Sequence, residues 1–335
     1  MQSVMLSLAE TGLGGVCMWT GAAGDGKWSS ESNWDAVPVA GDTIILAAAN
    51  CPEGADGVPE IEVDVVDFRT GKLQIPEGAP SFRLKGNRLN LGGYVEPHAV
   101  SADLAYDAAS FACAAAGAKV EIATDIHLVG RRGFYLGDGT DVTFSGVFTE
   151  DSPHSAYVYK QGAASSRFAL TGRIDYAGYV DEKNGFTNVV FHARGGTNAF
   201  PVAALGPAGA EFRISGVSGS AFAFGEGRGA ANVQLRETDP FGRYSCSFAG
   251  NCTLDGTFTV AAQMSRLALS TDGETVFGGA FRMLRYIGTL GLFGENSGFA
   301  FSHGIEARTV ETLLVRLNGG GVAFDGPVTG VQSVR

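Results

Sequence analysis

The chain has 335 residues, a formal net charge of −11, 49 glycines, 22 phenylalanines and only 18% charged residues. That charge comes without a basic stripe, so a polyanionic duplex is repelled and nucleic acid is not expected as a partner. No apolar run nears the roughly 18 residues of a membrane-spanning helix, and glycine plus proline stay below the roughly 25–30% that marks a low-complexity chain.

Residues 1–18 read as a short N-terminal segment. Met1, Val4, Met5 and Leu8 fit one face of a short amphipathic helix ended near Gly12. The same residues make a poor signal peptide, because Glu10 is present and Lys and Arg are not. A start displaced from the true one reads equally well. Residues 19–60 differ from the rest. Trp19, Trp28 and Trp34 are the only tryptophans in the chain and fall within 16 residues. Large aromatic side chains bury much area per residue and can organise a segment without regular structure. An N-terminal cap over an open end of stacked strands is therefore expected here.

From residue 61 onward one phrase recurs: apolar, any, apolar, any, small. It reads Phe82-x-Leu84-x-Gly86, Val142-x-Phe144-x-Gly146, Phe168-x-Leu170-x-Gly172, Phe212-x-Ile214-x-Gly216 and Val322-x-Phe324-x-Gly326, with weaker copies ending at Thr124, Ala193, Glu237, Gly256, Gly278 and His303. From Thr124 on, the fifth positions are 19 to 26 residues apart and centre near 22. Such a period suits one coil of a solenoid, in which turns vary while strands keep register. Period-2 alternation inside the phrase sends one set of side chains inward, and glycine is placed where the strand must turn. Hairpin signals are few, namely Asp138-Gly139, Asn184-Gly185, Asp255-Gly256 and Asp272-Gly273. A sandwich would need more of them. The expected fold is all-β, a right-handed parallel β-helix over residues 61–335.

The gap between Gly86 and Thr124 exceeds one coil. Its Ala-rich part, residues 101–117, places Leu104, Ala108, Phe111 and Ala115 on one helical face, with Ser101 as N-cap and Gly117 as stop. A short inserted helix is expected there; the alternative is an irregular loop carrying one strand. The five cysteines, Cys17, Cys51, Cys113, Cys246 and Cys252, are odd in number and lack zinc-ligand spacing. Cys246 and Cys252 flank a Gly250-Asn251 turn and could pair in an oxidising compartment, although buried free thiols are the preferred reading.

Residues 19–93 carry a resemblance. Trp19, Gly21, Trp28, Asn33-Trp34, Pro38 and Gly41-Asp42 lead into the short strand Ile44-Ile45-Leu46. Ile61-x-Val63-Asp64, Leu73-x-Ile75, Phe82-x-Leu84-x-Gly86 and Leu89-x-Leu91-Gly92-Gly93 follow. This order resembles the opening of secreted bacterial β-helix proteins of the autotransporter-passenger type, including those with autotransporter-associated β-strand repeats. That family's repeated Gly-Leu-x-Lys-x-Gly phrase is represented at best by Leu84-Lys85-Gly86. The resemblance implies export to the cell surface or the medium, and an end directly after the Gly326 repeat is what a piece of a longer surface protein would show.

Parallel β-helices also house carbohydrate-cleaving enzymes, so their chemistry was sought. Polygalacturonase-like catalysis needs paired carboxylates, yet no Asp-Asp occurs, and Ser302-His303-Gly304 only grazes that group's Gly-His-Gly. The nearest approach to a lyase set is Arg131-Arg132 with Asp138 and Asp141, but adjacent strand residues face opposite ways. Gly137-Asp138-Gly139-Thr140-Asp141 is similar to a single calcium nonapeptide, and a local Asp-Gly turn accounts for it better. His98, His127, His154, His192 and His303 show no metal spacing, and no phosphate loop or nucleophile elbow is present. No catalytic, cofactor-binding or metal residue is assigned, and no cofactor is expected. The expected function is a noncatalytic extracellular or cell-surface scaffold or adhesin segment that binds glycans or proteins. The alternative is a polysaccharide lyase or glycoside hydrolase.

Overall fold

Parallel, in-register strand pairing dominates the computed structural model, which describes residues 14–92, 109–129, 132–150, 157–162, 165–172, 179–181, 185–187, 189–194, 197–205, 208, 211–216, 221–237 and 242–335. Each full coil gives one strand to each of three faces. In one coil Arg132–Leu136 lies on face A, Asp141–Phe144 on face B and Phe148–Glu150 on face C. Faces A and B together form a 22-stranded sheet, and face C consists of a 4-stranded and a 5-stranded stack. The chain is a parallel β-solenoid of about 11 turns. The two halves of face C are separated in sequence by Tyr179–Asp181 and Gly185–Thr187, which pair antiparallel with Asp181 opposite Gly185. Among the hairpin signals only Asn184-Gly185 adjoins such a pair; Asp138-Gly139, Asp255-Gly256 and Asp272-Gly273 fall between parallel strands.

The alternation expected from the sequence builds the interior. Phe82, Leu84, Val142, Phe144, Phe168, Phe212 and Ile214 are buried. Register then places like on like. Phe224 pairs with Phe248, Phe258 with Phe281, Phe277 with Phe301, and Phe301 with Phe324. Adjacent strands lie roughly 4.8 Å apart, so these rings stack nearly parallel, with centroids 5.1, 5.2, 5.0 and 5.3 Å apart. Each pair adds about 0.5–1.5 kcal/mol beyond simple burial.

The recurring phrase does not mark one face. Its copies at 82, 120, 142 and 168 lie on face B, those at 189, 212 and 233 on face A, and those at 252, 276, 299 and 322 on face C. All three faces share inward alternation ended by a small residue, so the phrase finds strands without distinguishing them. Glycine's role at its end also differs from a sharp turn at Gly146 and Gly172. Neither has positive φ. A Cβ on Gly146 would stand 2.2 Å from the Thr124 carbonyl oxygen, and one on Gly172 would stand 1.9 Å from that of Gly146. Close approach of successive coils is what requires glycine there.

The inserted helix expected over 101–117 is corrected in its described part. Residues 101–108 lie outside the described residues, but Phe111–Cys113 is a face A strand, pairing with Leu73–Ile75 on one side and Phe134–Leu136 on the other. Phe111 and Cys113 continue the inward rows of Leu73/Phe134 and Ile75/Leu136, and burial in those rows outweighs the modest helix preference of alanine. The helix expected near Met1–Leu8 also lies outside the described residues. Within the 1–18 segment, Val16–Met18 is already a face A strand paired with Thr43–Ile45.

Residues 16–42 make the first coil, and Thr43 opens the second. Trp28 donates its backbone N–H to Glu62 O (2.9 Å) over face B, and Gly41 donates to Arg69 O (2.9 Å) over face C. Residues 33–35 then double back along the outer edge of the first strand. Trp34 bridges Trp19 in antiparallel sense, Thr20 N donates to Asn33 O (2.7 Å), and Asp35 N donates to Met18 O (3.1 Å). Met18 N donates in turn to Asp35 Oδ1 (2.6 Å). This edge is thereby paired instead of being left as a template for other chains. The three indoles are buried, with Trp34 edge-on to Trp19 and Trp28 at 5.1 and 4.8 Å. Asn33, fully buried, clamps the Gly-rich turn: its amide donates to Asp25 Oδ1 (2.7 Å) and Lys27 O (2.9 Å) and accepts from Ala23 N (2.9 Å).

All five cysteines are free. Burial pushes the Cys246 thiol up to about 12 and those of Cys51, Cys113 and Cys252 up to about 11. Cys17 also rises to about 11, by burial and by donating to Asp42 Oδ2 (3.3 Å). Near neutral pH such thiols hold little thiolate, the reactive form.

Phe144→Ala should destabilise the chain by about 3–5 kcal/mol in denaturant unfolding. Phe324→Ala should cost less than half of that, because Phe324 is only partly buried; equal losses would contradict the stacked-core account. Asn33→Ala should cost about 2–4 kcal/mol by leaving Asp25, the Lys27 carbonyl and the Ala23 N–H short of partners. Hydrogen exchange should rise in residues 16–45 and stay unchanged in coils beyond 211, and a uniform rise would rule out the cap as a local unit. Thiol-specific reagents at pH 7 should label the native chain slowly and reach five thiols per chain only after unfolding.

Candidate functional site

The residues nominated by sequence for chemistry are not brought together. Asp138 sits exposed in a turn and accepts from the Ser165 hydroxyl. Asp141 lies in the next face B strand and accepts from Arg167 Nη1 at 2.7 Å. Arg132 belongs to face A, where its backbone pairs with Val158, and Arg131 lies outside the described residues. His303 is exposed in the turn after Phe301, far along the sequence and many coils away from Asp138. His127 Nδ1 is 2.9 Å from the Thr149 hydroxyl. His98 and His154 lie outside the described residues, as does the side chain of His192. Among the described residues no group of three or more His, Cys, Asp or Glu is placed to hold a metal.

Charge on the outer side of face B is organised differently at its two ends. Toward the N-terminus it is a ladder of alternating sign. Glu60 is in register with Arg83, and Arg83 with Glu121. Arg83 donates to Glu60 (3.0 Å), Glu121 (2.7 Å) and Asp56 (2.7 Å), while Lys85 also pairs with Glu60. Lys85 first, then Arg83, hold the Glu60 carboxyl below its ordinary range. Opposite charges directly across strands stabilise a sheet, and this ladder is accounted for by that role.

Toward the C-terminus the pattern changes. Residues 228–335 carry nine arginines, no lysine and nine carboxylates, so the net charge of −11 resides in residues 1–227. Arg243 and Arg266 are direct register neighbours, a like-charge pairing that costs stability. On the next two coils Arg285 and Arg308 follow, both exposed as Arg243 and Arg266 are. Among the described residues, no carboxylate lies within ion-pair distance of Arg266, Arg285 or Arg308.

Arg285 and Arg308 lie at the corner between faces A and B, whereas Arg266 stands opposite Thr289 within face B and rests over Phe293. Phe281–Glu295 and Ile305–Asn318 run through both faces without a break, and register shifts between Met283 and Tyr286 and between Glu306 and Val310. A further shift separates Gly242 from Arg243. Irregularities of this kind re-aim side chains away from the regular alternation. They leave two shallow, joined hollows. One, of about 630 Å³, is lined by Arg236, Ala261, Ala262, Gln263, Leu284 and Arg285. The other, of about 610 Å³, is lined by Gln263, Ser265, Tyr286, Gly288, Thr289 and Glu311. Gln263 belongs to both. Tyr286 donates its hydroxyl to Glu311, and this bond raises its pKa. Arg266 is held over the Phe293 ring, 5.4 Å from its centroid, and that ring packs where a side chain on Gly291 would stand, 2.3 Å from its Cβ position. The groove thus combines cations, hydroxyl and amide groups, and the exposed apolar side chain of Leu284. It can hold a ligand that carries negative charge, hydroxyls and small apolar patches. Arginine recurs in the sequence at 243, 266, 285 and 308, but the register sets Thr289, not Arg285, opposite Arg266, so that recurrence does not mark the hollows.

No family model, no curated protein and no solved structure matches this chain.

Proposed function

We propose that this chain is a noncatalytic, extracellular or cell-surface β-solenoid scaffold or adhesin segment that binds glycans or proteins through its outer faces. The observation that carries this reading is the pair of open hollows that share Gln263 at the corner, where Arg236 and Arg285 lie beside Leu284 and Tyr286. A polar outer surface on which, among the described residues, Asp138, Asp141, Arg132 and His303 do not converge suits contact more than turnover. The placement on the cell surface rests on the resemblance of residues 19–93 to autotransporter-type passengers.

Incubation of the purified chain with pectins, alginates and host-type glycans, with and without calcium, should release no new reducing or unsaturated ends. In the same samples, glycan or protein retention on the intact chain should be measurable. Product that disappears in Asp138→Ala or Asp141→Ala would establish the carbohydrate-active enzyme instead.

A further inference from the structure

We propose that the two joined hollows at the corner bind adjacent sugar units of a glycan, an acidic one with its carboxylate between Arg236 and Arg285 and a neutral one beside Ser265 and Thr289. This deepens the binding reading above and rests on it.

The shape of the site follows from register. Val260 stands opposite Met283 and Met264 opposite Ile287, the same offset of 23 residues before and after the corner. Ala261, Ala262 and Gln263 therefore lie level with Leu284, Arg285 and Tyr286 of the following coil. On the preceding coil Leu235 stands opposite Val260, and Ala261 N donates to Leu235 O (2.9 Å), which sets Arg236 level with Ala261. The middle coil thus offers two alanines where its neighbours carry long side chains. Arg236 walls one side, Leu284 and Arg285 the other, and the walls rise from strands two rungs, roughly 9.6 Å, apart. Between them lies the hollow of about 630 Å³, floored by Ala261 and Ala262.

The chemistry of this hollow calls for an anion. Arg236 donates to the side-chain oxygen of Gln234, and among the described residues no carboxylate lies within ion-pair distance of Arg236 or Arg285. Burial first, and the neighbouring Arg213 second, hold the Arg236 guanidinium below its ordinary range, with Glu211 offsetting them only in part. A bound anion relieves both costs. Guanidinium pairs with carboxylate through two parallel N–H donors. A sugar acid also brings a C–H face and hydroxyls, which match the two alanines with Leu284 and the Gln263 amide. An acidic peptide side chain offers the carboxylate without a ring to cover that apolar floor.

The second hollow differs in sign. It shares Gln263 and adds Ser265, Tyr286, Thr289 and Glu311. Glu311 accepts from Tyr286, and Ser265 donates to Gly242 O (3.0 Å), which leaves its hydroxyl oxygen as an acceptor. Hydroxyls of a neutral sugar find partners in Ser265, Thr289 and Glu311, whereas a second carboxylate is repelled by Glu311. The two hollows together orient the ligand, acid toward Arg236.

The full chain is titrated calorimetrically, at two salt concentrations, with a disaccharide of one uronic acid and one neutral hexose. The methyl ester of that disaccharide, a disaccharide of two uronic acids and an acetylated Glu-Ala dipeptide are compared. Expected is that the mixed disaccharide binds most tightly and weakens with salt. Arg236→Ala and Arg285→Ala should each lower its affinity by about 3- to 10-fold. Arg228→Ala, on face C and paired with Asp255 at 2.5 Å, should leave it unchanged. Ala261→Leu fills the floor while keeping both arginines, and should weaken binding with unfolding close to the parent. Glu311→Gln should raise affinity for the two-acid disaccharide toward that of the mixed one, a gain that damage to the fold does not produce. Arg236 and Arg285 variants that bind the mixed disaccharide as the parent does would overturn the site, and tighter binding of the dipeptide through the same arginines would overturn the sugar. If only the ester, other neutral glycans or proteins are retained, this inference falls and the adhesin reading stands. If nothing binds, both fall.

Discussion

In-register parallel pairing is the constraint from which the other features follow. When residue n of one coil sits directly above its counterpart on the next at roughly 4.8 Å, each side chain is stacked on the residue type that occupies the same row. Apolar rows profit, and the near-parallel pairs Phe258 on Phe281 and Phe277 on Phe301 are the result. Glycine rows profit as well, since Gly146 and Gly172 let successive turns approach more closely than any Cβ would allow. Charged rows are the difficult case. Glu60, Arg83 and Glu121 solve it by alternating sign. Arg243 above Arg266 instead sets like charges in register.

The same constraint governs how the first coil is closed. At the N-terminal end, residues 33–35 reverse direction and pair with Met18 and Thr20, and three indoles cover the interior. The order Trp, Gly-rich turn, Trp, Asn-Trp, Gly-Asp acquires a physical meaning there. Asn33 clamps the turn, Trp34 bridges Trp19, and Asp42 accepts from both the Cys17 thiol and the Val39 N–H. At the other end, Val328–Val334 pairs only with the coil before it among the described residues, and Val334 is exposed.

Much of the fold was legible because its period and its core obey the same rule. Alternation identified Phe144, Phe168 and Ile214 as interior, and spacing identified coils. Face assignment was not legible, because Val142-x-Phe144-x-Gly146 on face B and Phe299-x-Phe301 on face C follow one local pattern. Phe111–Cys113 was expected as helix because alanine-rich composition speaks for local propensity, whereas its strand state depends on Leu73 and Phe134, neighbours distant in sequence. The groove was the least legible part. It depends on register shifts near Arg243, Tyr286 and Val310, and a shift of one or two residues leaves little trace in a pattern whose turns already vary by several.

The stacking also dictates how the chain would carry load. Hydrogen bonds between coils point along the solenoid axis, so tension drawn from the two ends falls on the rungs in series instead of being shared among them. Each coil would then peel away singly. One step frees about 23 residues, the offset between Phe258 and Phe281, or roughly 80 Å of extended chain.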